Sequence, residues 1–382
     1  MRNRNIVFVS SYPLNEPVIR NRLEPYLNGF IDAGFHAKLV NRSGGEFGDL
    51  KTSRFSHFVV KDKKIKRKVF FVRFIVEFIE GWKVIRLAKK KSEVGDFILV
   101  SVPSMLLMLF LYRLKGRKVL LDVRDLTWEY LSDKSILTRT FKLFFRKVAL
   151  FVSSRVFLVI ASNSSEVKYF QKLNSAEKNK VIYVPNGISL KQFEKLTLID
   201  TNKQKNTRVK ITYIGNVGIA QNLEIFVRAA HKLPQFDFEI VGAGTDYDRV
   251  MCLVKSLNAN NISLSGRISW YEIPIKYEQA DILYAQLTEG FSHAMPSKLY
   301  EYLASGKYVI YGGNGQAVSV LNEFDNITVV KPNSLEELVE ALVSVTKENR
   351  QNNISFHNRS RIEEKYIREN NVKNLITNLV EI

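Results

Sequence analysis

The sequence has very little cysteine and no long apolar run. Its single cysteine, Cys252, leaves no second thiol for an internal disulfide. The longest uncharged stretch, Phe97–Tyr112, is 16 residues and is interrupted by Ser-Val-Pro-Ser at 101–104, whereas a membrane-spanning helix needs about 20 apolar residues. The apolar stretch Ile6–Val9 is too short for a secretion signal. These absences predict a protein of the reducing cytoplasm, with a strand, a turn and a helix over 97–112.

Motifs for metal binding are also missing. The sequence contains no His-Glu-x-x-His, no Cys-x-x-Cys and no Walker phosphate loop. Its histidines, at positions 36, 57, 231, 293 and 357, are too scattered to indicate a metal site. We therefore expect a metal-independent reaction and no cofactor. Zinc-ligand spacing, a basic region with heptads and an aromatic RNA-binding signature are absent as well, which argues against a nucleic-acid partner.

Length and composition indicate two folded domains. Of the 382 residues, 46% are hydrophobic and 25% are charged, and 19 glycines with 9 prolines are too few for a disordered chain. Chains longer than roughly 250–300 residues usually divide into domains. Two domains of nearly equal size, each with its own core, are therefore expected.

The net charge of +19 is confined to the first half of the chain. Residues 1–200 carry 37 basic and 18 acidic side chains, whereas residues 201–382 carry 20 of each. A distribution this uneven indicates an anionic partner for the first half.

Two apolar, aromatic-rich stretches with basic flanks, Val69–Leu87 and Leu137–Phe151, lie in this half. Such stretches suit an anionic membrane surface, where each Lys or Arg near the lipid contributes about 1 kcal/mol of attraction. Buried core helices with solvated ends are the alternative. Because the charge is one-sided, we favour the inner face of the plasma membrane. The residues predicted to meet it are Lys66, Arg67, Lys68, Trp82, Lys89, Lys90 and Lys91.

Short β-branched runs alternate with amphipathic segments in both halves, which is typical of parallel βαβ units. Predicted strands are 6–10, 36–40, 97–100, 118–122, 156–160 and 181–184, then 209–214, 236–241, 262–264, 282–285, 308–311 and 327–330. The polar stretch Asp200–Thr207 resembles a linker. We therefore predict an α/β protein with two tandem Rossmann-like domains, 1–200 and 201–355, and a C-terminal helix, 356–382, that packs back on the first domain.

Ligands of such sheets bind beyond the carboxyl ends of the strands, so two facing domains would form a cleft lined by both sets of loops. In the second domain, Pro296 and Gly306 are suited to begin and end a helix. The amides near Ser297, together with Lys298, would attract a phosphate at its N-terminus. Glu301 would accept hydrogen bonds from a ribose. An intrahelical Lys298–Glu301 pair without a ligand is the equal alternative.

A glycine-rich turn precedes this helix in the sequence. Gly215 would allow close approach of the backbone to a phosphate, and Asn216 and Gln221 offer neutral donors. A turn without a ligand is equally compatible with the pattern.

The run Pro296-Ser-Lys-Leu-Tyr-Glu-Tyr-Leu-Ala-Ser-Gly-Lys307 resembles the nucleotide-sugar-binding helix of family-4 glycosyltransferases of the GT-B fold, especially bacterial O-antigen and capsule enzymes. Other blocks fall in the family's order. They are Val184–Ile188, Tyr213–Leu223, Phe238–Gly244, Leu264–Ile268 and Gln279–Asp281, with Leu121–Glu129 as the best match in the first half.

The resemblance implies that Glu301 binds the ribose of the donor, that Lys298 and the amides around Ser297 hold its diphosphate, and that the loop at Arg267 meets the base. It also implies transfer with retention of configuration. The nucleotide-sugar is then a substrate and not a cofactor. Asp125, after a predicted strand, would contact the acceptor or the donor sugar, with a helix N-cap as the equal alternative.

The sequence departs from the family pattern at the donor sugar. Family members commonly carry a first glutamate eight residues before the second, where this chain has His293, while Glu289 lies twelve before. Either residue substitutes, or the sugar is held differently. Gln221 stands where many members have a basic residue, and a first-domain histidine near 101–104 is missing.

These observations predict a retaining hexosyl- or N-acetylhexosaminyl-type glycosyltransferase. It would move a sugar from a UDP-sugar to a lipid-linked or oligosaccharide acceptor in lipopolysaccharide or capsule synthesis, as a peripheral protein of the membrane's cytoplasmic face. Two alternatives remain. One is a non-catalytic nucleotide-binding scaffold of a polysaccharide assembly complex, and the other is a sugar-nucleotide epimerase of the same fold.

Overall fold

The computed structural model describes residues 4–47, 52–61, 70–102, 104–129, 131, 135–173, 180–199, 208–348 and 353–381. The chain divides into two compact units, the first comprising Met1–Asn186 with Arg368–Ile382 and the second Gly187–Ile367. The predicted linker at 200–207 and the predicted membrane residues Lys66, Arg67 and Lys68 lie outside the described residues. The predicted boundary at 200/201 therefore stays a prediction.

The first unit contains a seven-stranded parallel sheet with the order β3-β2-β1-β4-β5-β6-β7. Its strands are β1 (Asn5–Ser10), β2 (His36–Arg42), β3 (Phe55–Val60), β4 (Phe97–Val102), β5 (Lys118–Val123), β6 (Leu158–Ala161) and β7 (Val181–Tyr183). Six of these match predicted strands. The sequence pattern missed β3, an edge strand whose side chains are half-exposed, because it lacks the buried apolar run of its neighbours.

Helices cover both faces of this sheet. They are α1 (Pro17–Asp32), α2 (Phe70–Lys91), α3 (Ile136–Ser153) and α4 (Ser164–Leu173), with a 3-10 helix at Met105–Leu114. Alternate residues of β1 point to opposite faces, so that Val7 and Val9 join one apolar cluster while Ile6 and Phe8 join another. The strand β4 and the 3-10 helix that follows it confirm the prediction of a strand, a turn and a helix over 97–112, with a helix of the 3-10 type.

The second unit contains a six-stranded parallel sheet with the order β10-β9-β8-β11-β12-β13. Its strands are β8 (Lys210–Ile214), β9 (Asp237–Val241), β10 (Ile262–Gly266), β11 (Ile282–Gln286), β12 (Tyr308–Gly312) and β13 (Ile327–Val330). All six were predicted. The helices are α5 (Leu190–Thr197), α6 (Glu224–Lys232), α7 (Tyr247–Ser256), α8 (Ile273–Gln279), α9 (Ser297–Ser305), α10 (Gln316–Leu321), α11 (Leu335–Lys347) and α12 (Phe356–Lys365).

The chain ends in two helices where the sequence pattern suggested one. α12 ends before Tyr366 and Ile367, and α13 (Arg368–Glu381) follows. α12 belongs to the second unit, whereas α13 packs against α1 of the first unit. A side chain at Gly29 of α1 would lie 2.9 Å from Val372 of α13, so the two helices approach closely only because this position is glycine.

Candidate functional site

The carboxyl ends of β8 and β9 meet backbone to backbone in the second unit. The Gly215 amide donates to the carbonyl of Val241 at 2.9 Å. A Cβ atom at Gly242, where φ is +150°, would lie 1.8 Å from the Gly215 carbonyl oxygen, and one at Gly244 would lie 2.1 Å from that of Val217. The steric need for glycine therefore falls chiefly on Gly242 and Gly244, which the sequence reasoning had not singled out.

The turn after β8 is tied to the end of β11 by side-chain amides. Asn216 donates from Nδ2 to Gln221 Oε1 at 3.4 Å. Gln286, the last residue of β11, donates from Nε2 to the Gln221 carbonyl at 3.1 Å and accepts from the Asn333 amide at 3.0 Å. The amides of Asn216 and Gln221 are thus held at the carboxyl edge, where they were predicted. Gln286 was missed, because a polar residue at the end of an apolar strand matches no motif.

Helix α9 lies directly beside this turn. It begins at Ser297 with Pro296 as the N-cap, and Gly306 ends it with φ at +75°. Its buried Tyr302 hydroxyl accepts from the Ile214 amide at 2.7 Å and donates to the Ile214 carbonyl at 3.0 Å. Because Ile214 immediately precedes Gly215, these bonds fix the helix relative to the glycine turn.

Glu301 lies on α9 with 7% of its surface exposed. Lys298 donates from Nζ to both carboxylate oxygens, at 3.0 and 2.8 Å, and the Tyr277 hydroxyl donates to Oε2 at 3.1 Å. Burial and the nearby Glu301 charge raise the pKa of Tyr277 well above its usual value, so it stays a neutral donor. The intrahelical pair considered in the sequence analysis is therefore present, and it orients a half-buried cation and a buried carboxylate at one helix end.

The loop between β11 and α9 carries the two candidates for the donor sugar. Glu289 is exposed and lines an open cavity of about 450 Å³ together with Asn314, Lys331, Asn333 and other residues. His293 is exposed in the same loop. The preceding residue, Ser292, accepts from the Gln316 amide through its carbonyl at 2.8 Å. Glu301 does not line this cavity, so the two glutamates occupy separate places.

Arg267 is exposed and follows Gly266, the last residue of β10, where φ is +65°. The Gly266 carbonyl accepts from the Gly242 amide at 2.8 Å. The loop predicted to meet a base is thus joined to the turn after β9, at the same edge as Gly215 and Gly242.

Asp125 belongs to the first unit, where it is half-buried beyond the carboxyl end of β5. Its neighbourhood contains polar groups that the sequence pattern did not indicate. Arg22 and Asp122 form a buried ion pair at 2.7 Å. Glu166 is buried, and burial with the charge of Asp125 raises its pKa to about 8.

The apolar stretches predicted to meet a membrane are α2 and α3. Trp82 of α2 is half-buried against the core, with the Arg86 and Arg113 guanidinium groups 5.2 and 5.8 Å from its ring centre. Lys89 and Lys90 are exposed, and the half-buried Lys91 lies 4.0 Å from the centre of the Phe58 ring. Trp82 and the three lysines of α2 therefore border an apolar surface and do not themselves form it.

Exposed apolar side chains are concentrated on α3. Leu137, Phe144 and Phe151, spaced by seven residues, are 62%, 48% and 50% exposed, and Ile136 is exposed to 87%. The spacing places the three on one side of the helix. Phe141 of α3 packs edge-on against Phe74 of α2 at 6.2 Å between ring centres, so the apolar surface of α3 continues onto α2.

Across the ranges that the structure describes, no helix combines the length and apolarity needed to cross a membrane. In those same ranges, no group of three or more His, Cys, Asp or Glu side chains is placed to hold a metal ion.

Residues 194–361 match the model of a family described as glycosyl transferases group 1. The matched region lies within the second unit and covers less than half of the chain. It includes the glycine turns, α9 and Glu301. No curated protein sequence matches the chain significantly.

The chain is similar over its whole length to solved structures. It is 14% identical to Alr3699/HepE of Anabaena in complex with UDP, with a TM-score of 0.71 over 100% of both chains. Sucrose-phosphate synthase of Thermosynechococcus elongatus is 15% identical, with a TM-score of 0.74 over 99% of both. The lipopolysaccharide outer core galactosyltransferase WaaB is 14% identical, with a TM-score of 0.63 over 98% of this chain and 99% of its own.

At these identities the likeness shows the fold alone. The predicted fold class, two Rossmann-like α/β sheets as in GT-B proteins, is confirmed.

Proposed function

We propose that the protein transfers a sugar from a UDP-sugar to a lipid-linked or oligosaccharide acceptor in lipopolysaccharide or capsule synthesis. The observation that carries this proposal is the position of the Lys298–Glu301 pair, fixed by Tyr302 beside the glycine turn, inside the region that matches glycosyl transferases group 1. UDP is favoured as the nucleotide because the similar Anabaena protein was solved with UDP and with UDP-glucose.

In this proposal Glu301 binds the ribose. Its carboxylate is buried but has acceptor capacity beyond the bonds from Lys298 and Tyr277, since an ionised carboxylate offers about four lone-pair sites. Arg267 faces the base from the exposed loop after β10. Gly215, Asn216 and Gln221 line the phosphate side of the site.

The diphosphate would bind at the N-terminus of α9. The amides of Ser297 and Lys298 in the first turn carry partial positive charge, and the Lys298 side chain, one-third exposed, adds a full charge. Negative charge develops on the diphosphate as the glycosidic bond breaks. Preorganised donors stabilise that charge more in the transition state than in the ground state, which accelerates transfer.

Glu289 is the better placed of the two candidates for the donor sugar. It lines an open cavity large enough for a hexose, and His293 does not line that cavity. Asp125 would act from the first unit on the reacting sugars. We propose transfer with retention, no metal and no cofactor.

The membrane contact would be made by the exposed face of α3 and its continuation on α2. Apolar side chains would enter the lipid boundary while Lys89, Lys90 and the Arg155 guanidinium, which stacks 3.7 Å from the Phe151 ring centre, meet anionic headgroups. We therefore propose that the protein acts on the cytoplasmic face of the plasma membrane, next to a lipid-linked acceptor.

The first test is a thermal-shift and calorimetric screen against UDP, GDP, CMP and dTDP. Ligand at 100 times its Kd stabilises the native state by about 2.7 kcal/mol. We expect UDP alone to bind, Glu301→Gln to lose that binding, and Glu340→Gln, an exposed change on α11, to keep it. Binding of no nucleotide would overturn the proposal in favour of a scaffold, and wild-type transfer by Glu301→Gln would remove Glu301 from the site.

A further inference from the structure

The carboxyl edge of the first unit's sheet carries a row of buried polar residues. Ser10 of β1, Ser101 of β4 and Asp122 of β5 are register partners on adjacent strands, and none exposes any surface. The hydroxyls of Ser101 and of Ser11, the residue after Ser10, are buried with no hydrogen-bond partner among the described residues. Polar groups are seldom buried unpaired unless something else binds them.

The charge of Asp122 in this row is already compensated by Arg22. Arg22 donates from Nη2 to Oδ1 at 2.7 Å and from Nε to the same oxygen at 3.3 Å. The remaining nitrogen of Arg22, Nη1, donates to the carbonyls of Val184 and Pro185 at 3.0 and 3.3 Å. The Arg22–Asp122 pair is therefore satisfied within the protein and needs no ligand.

Arg124, two residues further along the chain, is different. Its side chain lies beside Asp122 and Arg22, only 9% of the residue is exposed, and its Nε and Nη1 atoms are buried with no hydrogen-bond partner among the described residues. Its backbone is held, since the Arg124 carbonyl accepts from the Ser162 hydroxyl at 3.1 Å. The backbone thus holds a guanidinium on which the donors of two nitrogens, Nε and Nη1, are unused within the described residues.

The nearby carboxyl groups do not compensate this charge. Asp122 is bound by Arg22, and burial together with the charge of Asp125 raises the pKa of Glu166 to about 8, which favours its neutral form. Glu166 Oε2 also accepts hydrogen bonds from the Ser162 amide and hydroxyl, at 2.6 and 3.0 Å. Asp125 favours the charged form of Arg124, yet burial outweighs it and lowers the pKa of Arg124.

We propose that Arg124 binds an oxyanion, a phosphate or a carboxylate, carried by the acceptor substrate. A guanidinium presents parallel N–H donors that match two oxygens of such a group, and the Ser11 and Ser101 hydroxyls at the same edge supply further donors. Assignment to the acceptor rests on the proposed function, in which the donor's diphosphate is held by the second unit. The oxyanion site itself does not depend on it.

The test is calorimetric titration of the whole protein, in a low-salt Tris buffer with UDP present to fill the donor site. The probes are inorganic phosphate, glucuronate and, as a neutral control, glucose. We expect one of the two anions to bind and glucose not to bind; phosphate would indicate a phosphorylated acceptor and glucuronate an acidic sugar. Arg124→Gln should weaken the anion roughly tenfold or more. Arg117→Gln, at the amino end of the same strand, should leave it unchanged.

Two further readouts separate a binding role from a structural one. Because no side-chain hydrogen bond joins Arg124 to the residues that the structure describes, Arg124→Gln should unfold at the same temperature as the wild type or higher. The anion should raise the unfolding temperature of the wild type but not that of Arg124→Gln. Equal anion binding by Arg124→Gln, or no anion binding by the wild type, would overturn the inference. If UDP binds and neither anion binds, the oxyanion site is overturned and the proposed function is not. If an anion binds and UDP does not, the proposed function and the assignment to the acceptor are overturned, and the oxyanion site is not.

Discussion

Lys298 donates from Nζ to both carboxylate oxygens of Glu301, three residues later on α9, and the Tyr277 hydroxyl donates a further hydrogen bond to the same carboxylate. The pair therefore joins a buried anion to a cation that is one-third exposed. Such an arrangement leaves the Lys298 ammonium able to bind a second anion.

This division of charge predicts different effects of Lys298 on two ligands. Lys298→Gln should weaken UDP roughly tenfold or more, because a charge-assisted bond to phosphate is lost, but should change uridine binding little. Glu301→Gln should weaken both, since the ribose is common to them. Calorimetric titration of both variants with UDP and uridine checks this. Equal losses for the two ligands in Lys298→Gln would contradict a phosphate role.

Gly242 is predicted to be irreplaceable for steric reasons. In Gly242→Ala, the new methyl would collide with the Gly215 carbonyl oxygen at a φ of +150°. We expect a loss of about 3 kcal/mol or more in unfolding free energy, together with loss of nucleotide binding. Gly290→Ala, where nothing lies within 4 Å, is the matched control and should unfold like the wild type in urea. Normal stability of Gly242→Ala would show that the two turns separate freely.

Glu166 should make stability depend on pH. Burial raises its pKa from 4.5 to about 8, so the folded state holds the proton more tightly than the unfolded state. The resulting stabilisation is complete below pH 4.5 and is lost as the pH rises through 8. Glu166→Gln keeps an acceptor for Ser162 without the charge. Urea unfolding at pH 5 and 8.5 should show the variant gaining roughly 2 kcal/mol or more over the wild type at the higher pH.

An exposed carboxyl provides the comparison for that pH dependence. Glu340→Gln on α11 should differ from the wild type by the same small amount at both pH values. A difference between Glu166→Gln and the wild type that is equally constant with pH would mean that Glu166 is ionised in the folded protein.

The exposed face of α3 should determine membrane binding. Replacing Leu137, Phe144 and Phe151 together by Ser removes apolar area that is already in water, so the fold should keep its stability. Co-sedimentation with vesicles containing anionic phosphatidylglycerol should fall strongly, because apolar burial and headgroup attraction act together. A triple serine variant at Leu198, Ile275 and Val343 of the second unit should sediment like the wild type. Unchanged sedimentation of the α3 variant would contradict the proposed surface.

The fold was predictable because its signals are local. Twelve of the thirteen strands in the described residues contain a short apolar run that predicts them, and Gly306 ends α9 as its position in the pattern predicts. The strand that was missed, β3, lies at an edge, where half-exposed side chains produce no buried run. The break between α12 and α13 was also missed, because the residues at it, Tyr366 and Ile367, are apolar and are buried against distant parts of the chain such as Tyr300 and Ile188.

The site was predictable where neighbours in sequence are neighbours in space. Lys298 and Glu301 lie one helical turn apart, so their pairing follows from spacing. Arg22 and Asp122 are 100 residues apart, and no pattern in either segment indicates that they meet. Gln286 bonds to Gln221 in the turn after β8, 65 residues away, and to Asn333 after β13, 47 residues away. Relationships of this kind arise from the strand order, which places the ends of β1, β4 and β5, or of β8 and β11, side by side.

The return of α13 to α1 has a consequence for the order of folding during synthesis. Residues 187–367 form a continuous piece and leave the ribosome as a complete unit. The first unit, although begun earlier, lacks the partner of Gly29 and the surrounding apolar face of α1 until Val372 and its neighbours have been made. The first unit is therefore the first to begin synthesis and the last to be completed. The second unit lies between its two segments in the sequence and is synthesised before α13, the helix that completes the first unit.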